Sequence, residues 1–235
     1  MARELVSRYG AVAAGPKHAH RAEALALLGR GVEAYRWIAG VRHPMDEAVS
    51  RYSKVASNHR GRYTDPRAFS EHGGSVRRGG RERYEFLHRT QADFSAYFLR
   101  FHRQVQVSPW VGDQRRADLV IRFEDIQEGF SELLRLVGLD QQRPLPRLNA
   151  TAGRTADYLG LYGPAIRRRA VTVLGPAMLE WGYRWPEDWG IAAVPRLSLL
   201  AYRLDSALGP PDRSPLPGLA KRASTRLRGY AARRP

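Results

Sequence analysis

The chain has 235 residues, enough for one full domain with a sizeable core, and its 43% hydrophobic content with five tryptophans fits a globular protein. It contains no cysteine, which excludes disulfides, thiolate metal sites and cysteine nucleophiles. Its formal net charge of +16 implies an anionic partner: nucleotide, polyanion, nucleic acid or acidic membrane.

The charge is uneven. Residues 190–235 hold nine Lys/Arg against Asp205 and Asp212, and residues 60–83 hold seven arginines against Asp65, Glu71 and Glu82. The first residues have no charged-then-apolar secretory pattern, and no run of about eighteen apolar residues occurs, so a cytoplasmic protein is expected.

In chain order, "MARELVSRYG" reads as a helix with Met1, Leu5 and Tyr9 on one face, no N-cap, and Gly10 as its stop. "KHAHRAEALALLG" is a short strand end or turn followed by a helix through Ala22, Leu25 and Leu28, closed by Gly29. "YRWIAGV", 35–41, reads as a buried strand. Pro44 suits the next helix's first turn, where Asp46 and Glu47 favour the helix dipole. Met45, Val49, Tyr52 and Ala56 form that helix's core stripe, leaving Asp46, Ser50 and Ser57 on another face. The Gly/Arg-rich residues 60–80 read as a mobile loop, followed by one long helix from about Arg81 to Arg103 with Tyr84, Leu87, Phe94, Phe98 and Phe101 inward.

"ADLVIRF", 117–123, reads as a second buried strand. Glu124 and Asp125 start a helix with the stripe Ile126, Phe130, Leu133, Leu134 and Val137, ended by Gly138; their expected role is helix capping plus pairing with Arg122. After the extended "RPLPRLN", a helix is expected near 164–181, then an aromatic cluster of Trp181, Tyr183 and Trp185 closing the sheet. Buried strands alternating with helices indicate an α/β fold with a parallel sheet. The expected domain spans 1–189, with 190–235 as a basic C-terminal tail.

A parallel strand ending in Arg42 and feeding a helix puts side chains at the carboxyl edge of the sheet, where α/β folds bind ligands. Arginine offers a planar fork of donors that matches a phosphate. Ser50, two turns on and off the core stripe, can give a hydroxyl to the same anion. The spacing alone also fits an arginine bonded to sheet-edge carbonyls and a serine facing water.

"VRHPMDEAVSRY" resembles the segment "VRNPxDRxxSxY" of the carbohydrate-type sulfotransferases, the Golgi-family enzymes and their bacterial relatives. "LVIRFEDIQEGFSELLRLVGL" is similar to that family's "RFEDL…F…LLxxLGL", "LPRLNAT" to its "LPHLNxS", and "WGYRWP" to its "FGYxFP". These four blocks stand in order over residues 1–189. The resemblance implies a three-layer P-loop-like α/β fold. It also implies transfer of a sulfuryl group from 3′-phosphoadenosine 5′-phosphosulfate (PAPS) to a hydroxyl of a carbohydrate or glycolipid. By the same resemblance Arg42 and Ser50 bind the 3′-phosphate, Arg154 lies near the cofactor, and His18 of "PKHAH" is the catalytic base.

One departure is clear. The family's first strand and phosphate loop, "PKxGxT(S/T)", do not occur here; "AGPKHAHR" lacks the Gly-Thr. The expectation is that the reading frame continues upstream of Met1 and encodes them, the alternative being a loop-less relative that binds an anionic glycan or nucleotide without turnover. His18 and His20 could also ligate a metal, but no third ligand with suitable spacing follows. His43 and Arg51 flank the phosphate pair and are candidates to line the acceptor cleft, which residues 60–80 and the segment before Ser108 are expected to shape. The tail suggests peripheral contact with anionic lipid through Leu197, Leu200, Tyr202 and Leu204 and the basic residues after them. A nucleic-acid-binding reading is weaker, because the tail lacks regular aromatic interleaving and no recognised motif occurs.

Overall fold

The computed structural model describes residues 1–11, 20–29, 35–146, 157–191 and 193–208; His18, Arg154 and residues 209–235 lie outside them. In chain order the elements are α1 (Ala2–Arg8), α2 (Arg21–Leu28), β1 (Ile38–Val41), α3 (Pro44–Ala56), α4 (Arg78–Thr90) and α5 (Phe94–Phe101). They continue with α6 (Val111–Arg115), β2 (Leu119–Arg122), α7 (Ile126–Leu136), α8 (Pro164–Glu180) and α9 (Arg196–Leu208). Among the described residues the architecture is α/β, with helices dominating and a two-stranded parallel sheet. The chain divides into two compact units, one built from Met1–Val41, Ser108–Leu145 and Asp205–Pro235, the other from Arg42–Val107 and Pro146–Leu204.

The first unit holds the sheet. β1 and β2 pair in parallel with Ile38 opposite Leu119 and Val41 opposite Arg122, and the Phe123 amide extends the ladder to the Val41 carbonyl at 2.8 Å. The strands are less buried than their apolar sequences suggest: only Val41 and Ile121 are fully covered. α7 lies on β2 so closely that a Cβ on Gly129 would meet the Ile121 Cγ2 at 2.3 Å. Its stripe of Ile126, Phe130, Leu133 and Leu134 joins the core, whereas Val137, expected in the stripe, is half exposed. Val137 follows the last helical turn. There Gly138 takes a left-handed conformation, and its amide and that of Leu139 turn back to the Arg135 and Leu134 carbonyls.

Met1, Leu5 and Tyr9 of α1 pack on the same core, as their spacing requires. On its other side α1 buries Glu4, and the Arg143 fork clasps that carboxylate with bonds of 2.8 and 2.9 Å. Those bonds and the guanidinium's charge hold the Glu4 carboxyl below the usual carboxylate range. The Gln127 side-chain amide makes paired hydrogen bonds with the Leu145 backbone, fixing the same connection from the α7 side.

The second unit is helical. Met45, Ala48 and Val49 of α3, Leu87 of α4, Phe94, Tyr97 and Phe98 of α5, and Ile166, Ala170, Val173, Leu174 and Met178 of α8 form its core. The expected single helix over 81–103 is two. Gln91 adopts φ 52°, ending α4, and the Asp93 carboxylate accepts the Ala96 amide at 2.8 Å to start α5. Tyr183 and Trp185 pack with Trp189 against this helical core, so the aromatic cluster closes the helical unit instead of the sheet.

Residues 60–80 are ordered by local contacts, not the expected mobile loop. Two 3₁₀ turns, Pro66–Ala68 and Ser70–His72, fold back so that the Val76 amide reaches the Ala68 carbonyl and the Ser70 amide the Val76 carbonyl. Arg81 pairs with Glu71 at 2.6 Å and lies over the Phe69 ring. Only glycine fits at 74, where a Cβ would stand 2.1 Å from the Ala68 backbone.

Candidate functional site

The candidate site grows from the start of α3. Pro44 occupies the first helical position, where its absent N–H costs nothing, and His43 is the N-cap, its Nδ1 accepting the Met45 amide at 3.3 Å. His43 is buried against the Tyr158 and Tyr183 rings, at 5.4 and 4.7 Å, which makes it a structural anchor of the helix start. Tyr162 donates to the Met45 carbonyl at 2.9 Å from within the core, and burial, with the charge of Asp46, pushes its phenol well above the ordinary value.

With the helix start fixed, positions 42, 46, 50 and 54 fall at four-residue spacing on one ridge. Arg42 Nε donates to Asp46 Oδ2 at 2.6 Å, and Arg42 Nη1 donates to Ser50 Oγ at 3.3 Å. The structure therefore brings the two expected phosphate ligands together, eight residues apart in sequence. Ser50 does not face water; it and Asp46 are both buried. Because Ser50 accepts from Arg42, its own hydroxyl proton is directed elsewhere and can be given to an anion.

Lys54, the next residue on the ridge, was not singled out by its sequence pattern. Desolvation lowers its ammonium's pKa, and the positive charges of Arg42, Arg62 and Arg51 add to that effect. His59 is held down in the same sense, first by desolvation and then by Arg60, Lys54 and Arg62. One face of the helical unit thus concentrates positive charge around Arg42 and Ser50. Arg51, expected beside the acceptor, is paired to Glu47 at 2.8 Å on the exposed side of α3. The signal for Lys54 was present in the sequence as the i+4 continuation of Arg42, Asp46 and Ser50.

In the sheet-bearing unit, His20 begins α2, its Nδ1 lies 2.8 Å from Asp113 Oδ2, and its ring stacks on Trp110 at 4.0 Å. A carboxylate at Nδ1 favours the tautomer that carries its proton on that nitrogen. His18, expected as the base, and Arg154 lie outside the described residues. Among the described residues no group of three or more His, Asp or Glu could hold a metal ion, and no helix is long and apolar enough to cross a membrane. Asp125 stands at the N-cap position of α7, but its side chain makes no capping hydrogen bond, contrary to the capping expected of it.

Compared with family models, with curated proteins and with solved structures, the chain finds no match.

Proposed function

We propose that the protein is a PAPS-dependent sulfotransferase that passes a sulfuryl group to a hydroxyl of a carbohydrate or glycolipid, on a P-loop-like α/β fold and in the cytoplasm. The observation that carries this reading is the Arg42–Ser50 contact at 3.3 Å, which sets a guanidinium and a hydroxyl side by side, the two donor types that suit a phosphate. Lys54 supplies further positive charge on the same ridge. These residues fit the 3′-phosphate end of the nucleotide. In the reaction the sulfur–oxygen bond to the donor phosphate breaks and a sulfur–oxygen bond to the acceptor forms. The acceptor's hydroxyl proton passes to a base, and adenosine 3′,5′-bisphosphate leaves. For that base, His18 comes from the family resemblance.

The test is calorimetric. Ser50→Ala should weaken adenosine 3′,5′-bisphosphate binding by about 1 kcal/mol and leave AMP binding unchanged, since AMP lacks the 3′-phosphate. Equal losses for both nucleotides would remove the assignment. A second reading, binding of an anionic glycan or nucleotide without turnover, draws on the same positive face around Lys54, Arg62 and His59. Sulfuryl transfer from PAPS to an acceptor panel, followed by mass spectrometry, separates the two.

A further inference from the structure

α9 carries two faces of opposite character. Ser198 and Tyr202 are buried, while Leu197, Leu200 and Leu204 are 81%, 53% and 55% exposed. Those three leucines recur at i, i+3 and i+7, which aligns them along one side of the helix. Arg196 and Arg203 are exposed beside them. Tyr202, grouped with the leucines in the sequence reading, belongs to the opposite, inward face. The helix start is anchored to the helical unit, since Val194 fills the space over Gly175 of α8, where an added Cβ would lie 2.7 Å from it.

We infer that α9 is a membrane-docking helix, its Leu197–Leu200–Leu204 stripe entering the headgroup boundary of an anionic bilayer while Arg196 and Arg203 meet lipid phosphates. Thirteen helical residues extend about 20 Å, short of the roughly 30 Å apolar core, so the helix lies on the surface and does not span. A short apolar stripe alone binds membranes weakly, and stable attachment takes a second, basic signal. The sequence provides one. After α9 come Arg213, Lys221, Arg222, Arg226, Arg228, Arg233 and Arg234 against Asp212 alone. Anionic lipid is favoured over a second copy of the chain. A two-fold contact through this stripe would bring the arginines of both copies together, like charge against like. This inference does not rest on the sulfotransferase reading.

The experiment is co-sedimentation of the full chain with phosphatidylcholine vesicles and with vesicles containing roughly one-third phosphatidylglycerol. The chain should pellet with the anionic vesicles and stay in solution with the neutral ones, and high salt should weaken the binding. Replacing Leu197, Leu200 and Leu204 together by Glu should lower the partition coefficient at least about tenfold. Arg196→Gln should lower it by about fivefold at low salt. Because the three leucines and Arg196 are exposed, thermal unfolding followed by circular dichroism should be unchanged, which keeps misfolding separate from lost docking. Equal pelleting of the leucine variant and the parent would overturn the inference, as would equal binding to neutral vesicles. It would also be overturned by self-association in light scattering that the leucine variant abolishes while vesicles bind neither form.

Discussion

Arg42 Nε is held at 2.6 Å by Asp46 within the protein itself, and both side chains are largely removed from water, at 19% and 5% exposure. The guanidinium is thereby aimed along α3 toward Ser50, and a carboxylate stands beside the proposed phosphate. Asp46 orients the arginine at the expense of some of its attraction for an anion.

The pair changes what an arginine deletion measures. Arg42→Ala leaves the Asp46 carboxylate buried without this partner and should cost about 3–5 kcal/mol of stability. Arg42→Ala combined with Asp46→Ala should cost clearly less than the single change. Urea denaturation of both variants checks this, and nucleotide affinities for Arg42 variants should be compared against the double variant, where loss of fold does not mix with loss of ligand contact. A double variant less stable than the single would mean that Asp46 stabilises the fold through other contacts more than through Arg42.

Lys54 gives a proton-linked prediction. Its pKa is lowered by desolvation and by neighbouring arginines, and a bound anion would raise it. At alkaline pH, binding of adenosine 3′,5′-bisphosphate should therefore take up protons, and the calorimetric enthalpy should vary with the ionisation enthalpy of the buffer. Where the pH lies below both the free and the bound pKa the lysine is charged in both states and this contribution vanishes. Lys54→Met should abolish the alkaline uptake; persistence of the uptake would place its source elsewhere.

Acid should weaken the fold in two steps. His102 is stacked on Phe98 and bonded to Gln106, and desolvation depresses its pKa from 6.5 to about 3. The unfolded chain therefore binds a proton near pH 6.5 that the folded chain refuses. Its contribution is fully present above pH 6.5 and is lost as the pH falls toward 3, by a few kcal/mol in all. Glu4, with its pKa lowered by Arg143, acts in the same direction below its ordinary value of 4.5. His102→Asn should flatten the upper part of the curve, and Glu4→Gln the lower, in urea titrations at a series of pH values.

Gly129 offers a test of packing against propensity. Alanine in the interior of a helix is favoured over glycine by about 1 kcal/mol. At Gly129, however, the new methyl would lie 2.3 Å from Ile121 Cγ2, and overpacking costs about 1–3 kcal/mol. Gly129→Ala should be destabilising, and combined with Ile121→Ala, which removes the Cγ2 in its way, it should cost less than the two single changes summed. Thermal melts of the single and double variants decide it.

The α3 helix was the most legible part of the sequence, because Pro44 at its first position and the Met45–Val49 spacing act locally and agree with the packing. The role of Asp46 was not legible. Its place in the first turn explains an acidic residue without reference to Arg42, and only the side-chain geometry shows which interaction it makes. The division of the 81–103 helix was hidden because the apolar period runs through Gln91, whose left-handed backbone is a departure that any non-glycine residue resists. Composition misrepresented residues 60–80: glycine and arginine there serve tight approach at Gly74 and ion pairing at Arg81, which composition alone reads as looseness. For the strands, apolar sequence predicted full cover, but burial depends on neighbouring elements that strand residues do not specify by themselves.

The Glu4–Arg143 clasp joins residues 139 positions apart. A ribosome adding about 5–20 residues per second takes about 7–28 seconds to make Arg143 after Glu4 has been added. Through that interval Glu4 of α1 has only its local pair with Arg8, and α1 lacks the Phe130–Leu134 cluster against which Leu5 and Tyr9 pack in the finished protein. The nascent amino-terminal segment is thus an exposed, short amphipathic stretch awaiting partners, and slowing elongation should lengthen its vulnerability to proteases and its engagement by chaperones.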